Sequence, residues 1–197
     1  MDYQAYLKKD SKMASILTDE LMVLKRRRNI PVRLMASIMS QQLSTKVAAV
    51  IFQRFLMLFG GKEPTVEAVL QTEDTTLRSI GLSNAKVGYV KNVAIFFANN
   101  HITDAHLKKM SDQEIIDLLV QIKGVGRWTV EMLLMFSLGR EDVFAVDDLG
   151  IQQAMCKLYK IDATDKKAMK LAMQKKAQKW VPYRTYACLH LWSWKDN

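Results

Sequence analysis

The segment Ile122-Lys123-Gly124-Val125-Gly126-Arg127-Trp128-Thr129 has the residue types that could bind a phosphate group. A tight turn that opens a helix leaves backbone N–H groups unpaired and carries a partial positive charge. Glycine lets the backbone turn sharply and approach a phosphate closely. A lone Gly-x-Gly also occurs in ordinary helix–helix connections, but the flanking Lys123 and Arg127 favour phosphate binding here.

Two adjacent carboxylates follow in the segment Val146-Asp147-Asp148-Leu149-Gly150, at the start of the next predicted helix. Aspartate is a common helix cap, and capping explains one of the two. The other carboxylate, held near a helix N-terminus, suits a group that stabilises positive charge in a transition state. A phosphate-binding turn followed by an acid indicates chemistry on a nucleic acid.

Aromatic residues form a third feature. Trp128 and Met132 are four residues apart and therefore share one face of a helix. Further aromatic side chains lie close together near the C-terminus: Trp180, Tyr183, Tyr186, Trp192 and Trp194. Such residues usually pack in a core, but aromatic walls also suit an extruded base, above all a positively charged one.

The composition restricts the class of protein. The 197 residues carry a net charge of +9, which favours a polyanionic partner, either a nucleic acid or an acidic membrane surface. No apolar run reaches the roughly 18 residues that a membrane span needs, and no signal segment is visible, so we expect a soluble intracellular protein. The two cysteines, Cys156 and Cys188, do not have a metal-binding spacing.

Apolar residues recur at helical spacing almost throughout, so we predict an all-α protein without β structure. Roughly ten helices are expected in one body. Counted from their caps or first residues, they are predicted at 11–24, 32–39, 45–59, 65–70, 74–80, 84–98, 112–120, 127–138, 147–158, 164–179 and 182–194.

Together with the two segments above, three others carry a resemblance to a known family. They are Ser40-Gln41-Gln42-Leu43-Ser44, the run from Leu77 to Ser83 with Lys86 just beyond it, and the stretch from Trp180 to Trp192. With these motifs the chain resembles the helix-hairpin-helix DNA glycosylases, within them the 3-methyladenine DNA glycosylase II branch, over roughly Val32 to Trp194. The resemblance implies one domain over residues 1–197, with two helical subdomains and the active-site cleft between them.

The resemblance assigns roles to several residues. Asp148 matches the catalytic carboxylate, and four residues match the base pocket or its surroundings: Trp128, Trp192, Gln41 and Met132. Gln42 matches the residue that fills the gap left by the extruded base. The other implied DNA-binding residues all belong to the hairpin: Lys123, Gly124, Val125, Gly126, Arg127 and Thr129. Backbone carbonyls of Val120, Ile122 and Val125 match a site for a monovalent cation such as Na+ or K+.

Departures from the family pattern refine the expected activity. Relatives that also cut the strand carry a lysine where this chain has Trp128, so we expect a monofunctional enzyme without β-lyase activity. Two cysteines cannot supply the four ligands of an iron–sulfur cluster, so we expect no such cofactor. Larger members carry an N-terminal β domain, and because only a short segment precedes Val32 here, we expect a compact version without it. Met132 replaces a tyrosine of some members, which bears on the substrate range.

The resemblance implies a monomer that excises alkylated purines such as 3-methyladenine and 7-methylguanine from double-stranded DNA, with no membrane partner. Its location would be the cytoplasm with the bacterial nucleoid, or the nucleus in a eukaryote. Two alternatives stay open: a non-catalytic protein that binds damaged DNA, and a glycosylase for etheno or deaminated purines. The retained Asp148 argues against the first. The second acts on neutral bases, for which a proton donor would be needed.

Overall fold

The computed structural model of the chain describes residues 2–196, which form thirteen α-helices, one 3-10 helix and one π-helical turn, with no strand among them. In chain order these are α1 (Tyr3–Leu7), α2 (Ser11–Ala14), α3 (Ile30–Ser40), α4 (Thr45–Met57), α5 (Val66–Gln71), α6 (Asp74–Ser79), α7 (Asn84–Asn99), α8 (Asp104–Lys109), α9 (Asp112–Leu119), α10 (Arg127–Leu133), the π turn (Leu134–Leu138), α11 (Leu149–Tyr159), α12 (Lys166–Ala177), the 3-10 helix (Gln178–Trp180) and α13 (Arg184–Asp196). The all-α prediction is confirmed.

The chain divides into two compact units. One unit runs from Arg26 to Leu133 and contains α3 to α10. The other contains the N-terminal segment through Lys25 and the chain from Leu134 onward. The cleft predicted between two subdomains stays a prediction. None of the helices within residues 2–196 combines the length and the apolar character that crossing a bilayer requires.

The unit Arg26–Leu133 is built around α3, whose apolar stripe is buried against α7. The N-terminus of α3 has no cap from its own residue Asn29. Instead Asp104 of α8 accepts hydrogen bonds from the backbone N–H groups of Asn29 (2.8 Å) and Ile30 (3.0 Å). No sequence pattern indicated α8, and this short helix fixes the start of α3, the helix that carries Gln41 at its other end.

In the other unit, α11 packs against α13. Asp148 is the N-cap of α11, which resolves the choice between the two aspartates that the sequence left open. Helix α12 starts after the predicted position 164, since Asp165 is its cap and the Asp165 carboxylate accepts bonds from two backbone N–H groups of the first turn.

The helix predicted at 11–24 is wrong beyond Ala14. The chain from there to Asn29 contains no helix, and Leu21 and Val23 are 65% and 74% exposed. A short helix in water depends on burying an apolar face, and this segment buries none at those positions. The predicted helix 127–138 exists, but its second half, Leu134–Leu138, is a π turn.

Candidate functional site

Asp148 has a fixed carboxylate at the start of α11. Its Oδ1 accepts a hydrogen bond from the backbone N–H of Ile151 at 2.8 Å. The same oxygen accepts a second bond from the indole Nε1–H of Trp192 at 2.8 Å. Hydrogen bonds to a charged oxygen are strong and directional, so α11 and α13 together orient this acid. The side chain is only partly buried, so it is accessible from solvent.

Gly150 makes the close approach of Asp148 and Trp192 possible. A Cβ at this position would lie 3.1 Å from Asp148 Oδ1 and 3.1 Å from Cδ1 of Trp192. Both distances are shorter than ordinary van der Waals contacts, so a side chain here would push the two groups aside. Sequence analysis gave no role to Gly150, because this contact joins residues that are far apart in the chain.

Phe136 is an aromatic neighbour that the sequence analysis also missed. Its ring centroid lies 5.9 Å from that of Trp192, and its side chain is 44% exposed. Phe136 belongs to the π turn, whose residues do not follow the α-helical period used to assign faces. The two rings form a partly open aromatic surface adjoining the acid.

Asp147 has a different environment from Asp148. Its carboxylate forms an ion pair with Lys170 of α12, with Nζ and Oδ1 2.6 Å apart. Both side chains are well exposed, at 38% and 40%. The first aspartate is therefore paired with a lysine, while the second caps α11 and contacts Trp192.

Gln41 and Gln42, in the loop after α3, differ in burial and in backbone conformation. Gln41 is partly buried, and its Nε2 donates to the hydroxyl of Thr129 at 3.4 Å. Gln42 is exposed and has φ +60°, in the left-handed region that side chains other than glycine rarely adopt. Lys86 of α7 donates from Nζ to the carbonyls of Met39 (2.9 Å) and Gln41 (2.7 Å). Burial lowers the pKa of Lys86.

The two hairpin glycines serve different purposes. Gly124 has φ +102°, and a Cβ there would overlap the ring of Tyr89 on α7. Gly126 immediately precedes α10, is exposed, and has open space around its Cα. Gly124 is thus required by the turn itself, whereas Gly126 leaves room for a partner at the start of a helix.

The other predicted hairpin residues differ in exposure. Lys123 and Arg127 are exposed, whereas Val125 and Thr129 are buried. The Val125 N–H donates to the carbonyl of Ile122 at 2.9 Å, and Thr129 accepts the bond from Gln41. The structure therefore gives Val125 and Thr129 internal hydrogen bonds, which the sequence pattern did not indicate.

The remaining pocket residues, Trp128 and Met132, are partly buried on α10. With Gln41 they belong to the unit Arg26–Leu133, whereas Trp192 belongs to the other unit together with Asp148. A single base pocket containing Trp128, Trp192, Gln41 and Met132 stays a prediction. Among residues 2–196, no three or more His, Cys, Asp or Glu side chains group as metal ligands would.

Comparison with known proteins gives consistent matches. Residues 35–182 match the family described as HhH-GPD superfamily base excision DNA repair protein. DNA-3-methyladenine glycosylase 1 of Schizosaccharomyces pombe is 37% identical over 161 residues, which are 81% of this chain and 69% of that protein. The family match contains Gln41, the hairpin and Asp148, and it ends before Trp192.

Solved structures agree with the sequence comparison. The 3-methyladenine DNA glycosylase of S. pombe in complex with abasic DNA has a TM-score of 0.85 and 30% identity, covering 98% of this chain and 96% of that chain. A DNA-3-methyladenine glycosidase from Bacillus halodurans has a TM-score of 0.83 and 32% identity, covering 99% and 89%.

Proposed function

Because the chain belongs to the HhH-GPD superfamily of base excision DNA repair proteins, we propose that it is a monofunctional DNA N-glycosylase for alkylated purines. Its substrates would be bases of the 3-methyladenine and 7-methylguanine type in double-stranded DNA. The observation that carries this proposal is the Asp148 carboxylate, held by the α11 N-terminus and by Trp192. The names of the S. pombe and B. halodurans relatives support the same class of substrate.

The chemistry follows from the charge of the substrate. A purine alkylated at N3 or N7 is cationic, so it leaves with the electron pair of the N-glycosidic bond without prior protonation. The sugar then develops oxocarbenium character, and a fixed carboxylate stabilises that positive charge. Water adds its oxygen to C1′ and releases a proton. Asp148 supplies the negative charge, and the bond from Trp192 holds the accepting oxygen in place.

The strand-binding residues have separate tasks in this proposal. The start of α10 at Gly126 offers backbone N–H groups to a phosphate, and the exposed Lys123 and Arg127 add positive charge. Gln42, on the exposed loop after α3, would occupy the gap left by the extruded nucleotide. Trp128, which replaces the lysine nucleophile of strand-cutting relatives, is the reason for expecting no lyase activity.

The reaction requires no organic cofactor. A monovalent cation remains a proposal, with the carbonyls of Val120, Ile122 and Val125 as its ligands. Carbonyl oxygens suit a hard cation, and the Ile122 carbonyl, which accepts one bond from Val125 N–H, has a second lone pair. When bound, such an ion supplies positive charge beside the phosphate-binding turn.

We further propose that the protein acts as a monomer, in the bacterial nucleoid or in a eukaryotic nucleus, where its DNA substrate lies.

The test is to incubate the protein with duplex DNA treated with a methylating agent and to identify the released bases by chromatography. We expect free 3-methyladenine and 7-methylguanine, with intact strands until the abasic sites are cleaved by alkali. Duplexes with a single ethenoadenine or hypoxanthine provide the second arm. Faster release of these neutral bases would favour the alternative substrate class, and binding without any base release would favour a damage-binding protein.

A further inference from the structure

Lys86 connects α7 to the loop that carries Gln42. The last carbonyls of a helix have no partner within the helix, and cationic side chains often satisfy them. Here the ammonium of Lys86 donates to the carbonyls of Met39 and Gln41, at 2.9 and 2.7 Å, at the end of α3. The Gln41 carbonyl directly precedes Gln42 and the Met39 carbonyl lies in the last turn of α3, so Lys86 holds the chain at the point where it turns.

The turn after Gln41 is one that the backbone does not adopt without support. Gln42 has φ +60°, a conformation that costs free energy for any residue with a side chain. Backbone hydrogen bonds at this turn run from the Gln41 N–H to the Ile38 carbonyl at 3.3 Å and from the Leu43 N–H to the Ser40 carbonyl at 3.1 Å. The two bonds from Lys86 are charge-assisted and therefore the stronger ones.

The helix that carries Lys86 also holds the hairpin. Tyr89 packs its ring against Gly124, and Asn92 donates from Nδ2 to the Lys123 carbonyl at 3.1 Å. Lys86 and Asn92 are separated by about 9 Å along a helix, at 1.5 Å per residue. One rigid element, α7, thus fixes the position of the Gln42 loop relative to the phosphate-binding turn.

We infer that Lys86 is a positioning residue for nucleotide extrusion: it holds the loop so that Gln42 enters the duplex while the hairpin binds the strand. Lys86 does not contact the DNA in this mechanism and acts through Gln42. The inference rests on the proposed function, because extrusion is the step it serves.

The matched control is Lys91, on the same helix. Its Nζ donates to the carbonyls of Leu70 (2.8 Å) and Thr72 (2.5 Å) at the end of α5. Lys86→Met and Lys91→Met therefore remove the same kind of helix-end contact. Only the first contact adjoins the Gln42 loop.

The experiment compares single-turnover release of 7-methylguanine from a duplex and from the same strand without its complement. Extrusion from a paired, stacked duplex costs free energy that a single strand does not require. We expect Lys86→Met to lower the duplex rate about tenfold and the single-strand rate less than about twofold, since only the duplex needs the Gln42 loop. Gln42→Ala is expected to give the same pattern, and Lys91→Met is expected to leave the ratio of the two rates unchanged.

Two further variants distinguish a loss of loop positioning from a general loss of folding. Lys86→Arg keeps donors for both carbonyls and should restore the ratio to within about threefold of wild type. The double variant Lys86→Met with Gln42→Ala should lose no more duplex activity than Gln42→Ala alone. An equal loss on both substrates, or a ratio like that of Lys91→Met, would overturn the inference.

A readout without base release separates this inference from the proposed function. A 2-aminopurine placed at the lesion site of a duplex gains fluorescence when it is unstacked. If the wild type raises this fluorescence but releases no 7-methylguanine from the methylated duplex, the proposed function fails while the positioning role is still measured. Absence of the fluorescence gain in wild type, or an equal gain in Lys86→Met, would contradict the positioning role.

Discussion

Replacing Gly150 with alanine is expected to lower catalysis while leaving stability close to that of wild type. Gly150 lies in the first turn of α11, where alanine has a higher helix propensity than glycine by up to about 1 kcal/mol. The added methyl group would stand 3.1 Å from Asp148 Oδ1 and 3.2 Å from Nε1 of Trp192, the two atoms of a 2.8 Å hydrogen bond. Either group must then move by a few tenths of an ångström.

The size of the catalytic effect follows from the bond that is disturbed. A hydrogen bond to a charged group contributes about 1.5–3 kcal/mol, and a displaced bond loses part of that. A loss of about 1 kcal/mol in the transition state corresponds to a rate about fivefold lower. Trp192→Phe, which removes the N–H donor and keeps an aromatic ring, sets the upper limit, with a loss of about 10- to 150-fold.

Single-turnover base release from 7-methylguanine duplexes, at saturating enzyme, measures this effect, and urea unfolding measures stability. Gly88→Ala is the stability control, because Gly88 lies in the middle of α7 with open space around it. Gly88→Ala should be as stable as wild type or more stable, and Gly150→Ala should stay within about 1 kcal/mol of wild type, because its gain in helix propensity offsets the disturbed hydrogen bond. An unchanged rate in Gly150→Ala would refute the claim that this glycine sets the Asp148–Trp192 geometry.

Three further predictions concern the hairpin, a buried histidine and Asp147. Gly124→Ala should destabilise the fold by about 2 kcal/mol or more, because φ at this position is +102° and the ring of Tyr89 occupies the space of a Cβ. Gly126→Ala should leave the melting temperature unchanged and weaken DNA binding, measured by titration. Burial lowers the pKa of His190, so below the ordinary histidine pKa of about 6.5 the unfolded chain binds a proton that the folded protein does not. The free energy of unfolding should therefore fall as the pH drops below about 6.5. Urea unfolding of His190→Asn should show a smaller fall over the same pH range. Asp147→Asn should change stability by less than about 1 kcal/mol and base release by less than about threefold, since its ion pair is exposed.

The sequence predicted the parts of the fold that depend on local chemistry. Ser44, Ser83 and Ser111 each cap a helix that begins where the sequence predicted one, at residues 45, 84 and 112, and Ser111 with Glu114 forms a capping box. An aspartate cap at the start of α11 follows the same logic, although the sequence left the choice between Asp147 and Asp148 open. These features depend on residues within one turn of each other, which a sequence pattern records.

The contacts that complete the site join distant residues, and no local pattern contains them. Asp148 and Trp192 are 44 positions apart, and Lys86 lies 45 positions from Gln41. The role of Gly150 depends on which atoms would lie next to a Cβ at this position, and only the three-dimensional structure shows them. Phe136 was not predicted for another reason: it lies in the π turn, which shifts its side chain away from the helix face that an α-helical period assigns to it.

The most direct test of the account is the rate of 7-methylguanine release by Asp148→Asn, measured in a single turnover together with DNA affinity. Asparagine keeps the shape of the side chain and can still accept the bonds from Ile151 and Trp192, but it lacks the charge. We expect base release to fall about 100-fold or more while the dissociation constant for the duplex stays within about threefold of wild type. Release at the wild-type rate would contradict the assignment of Asp148 as the catalytic carboxylate.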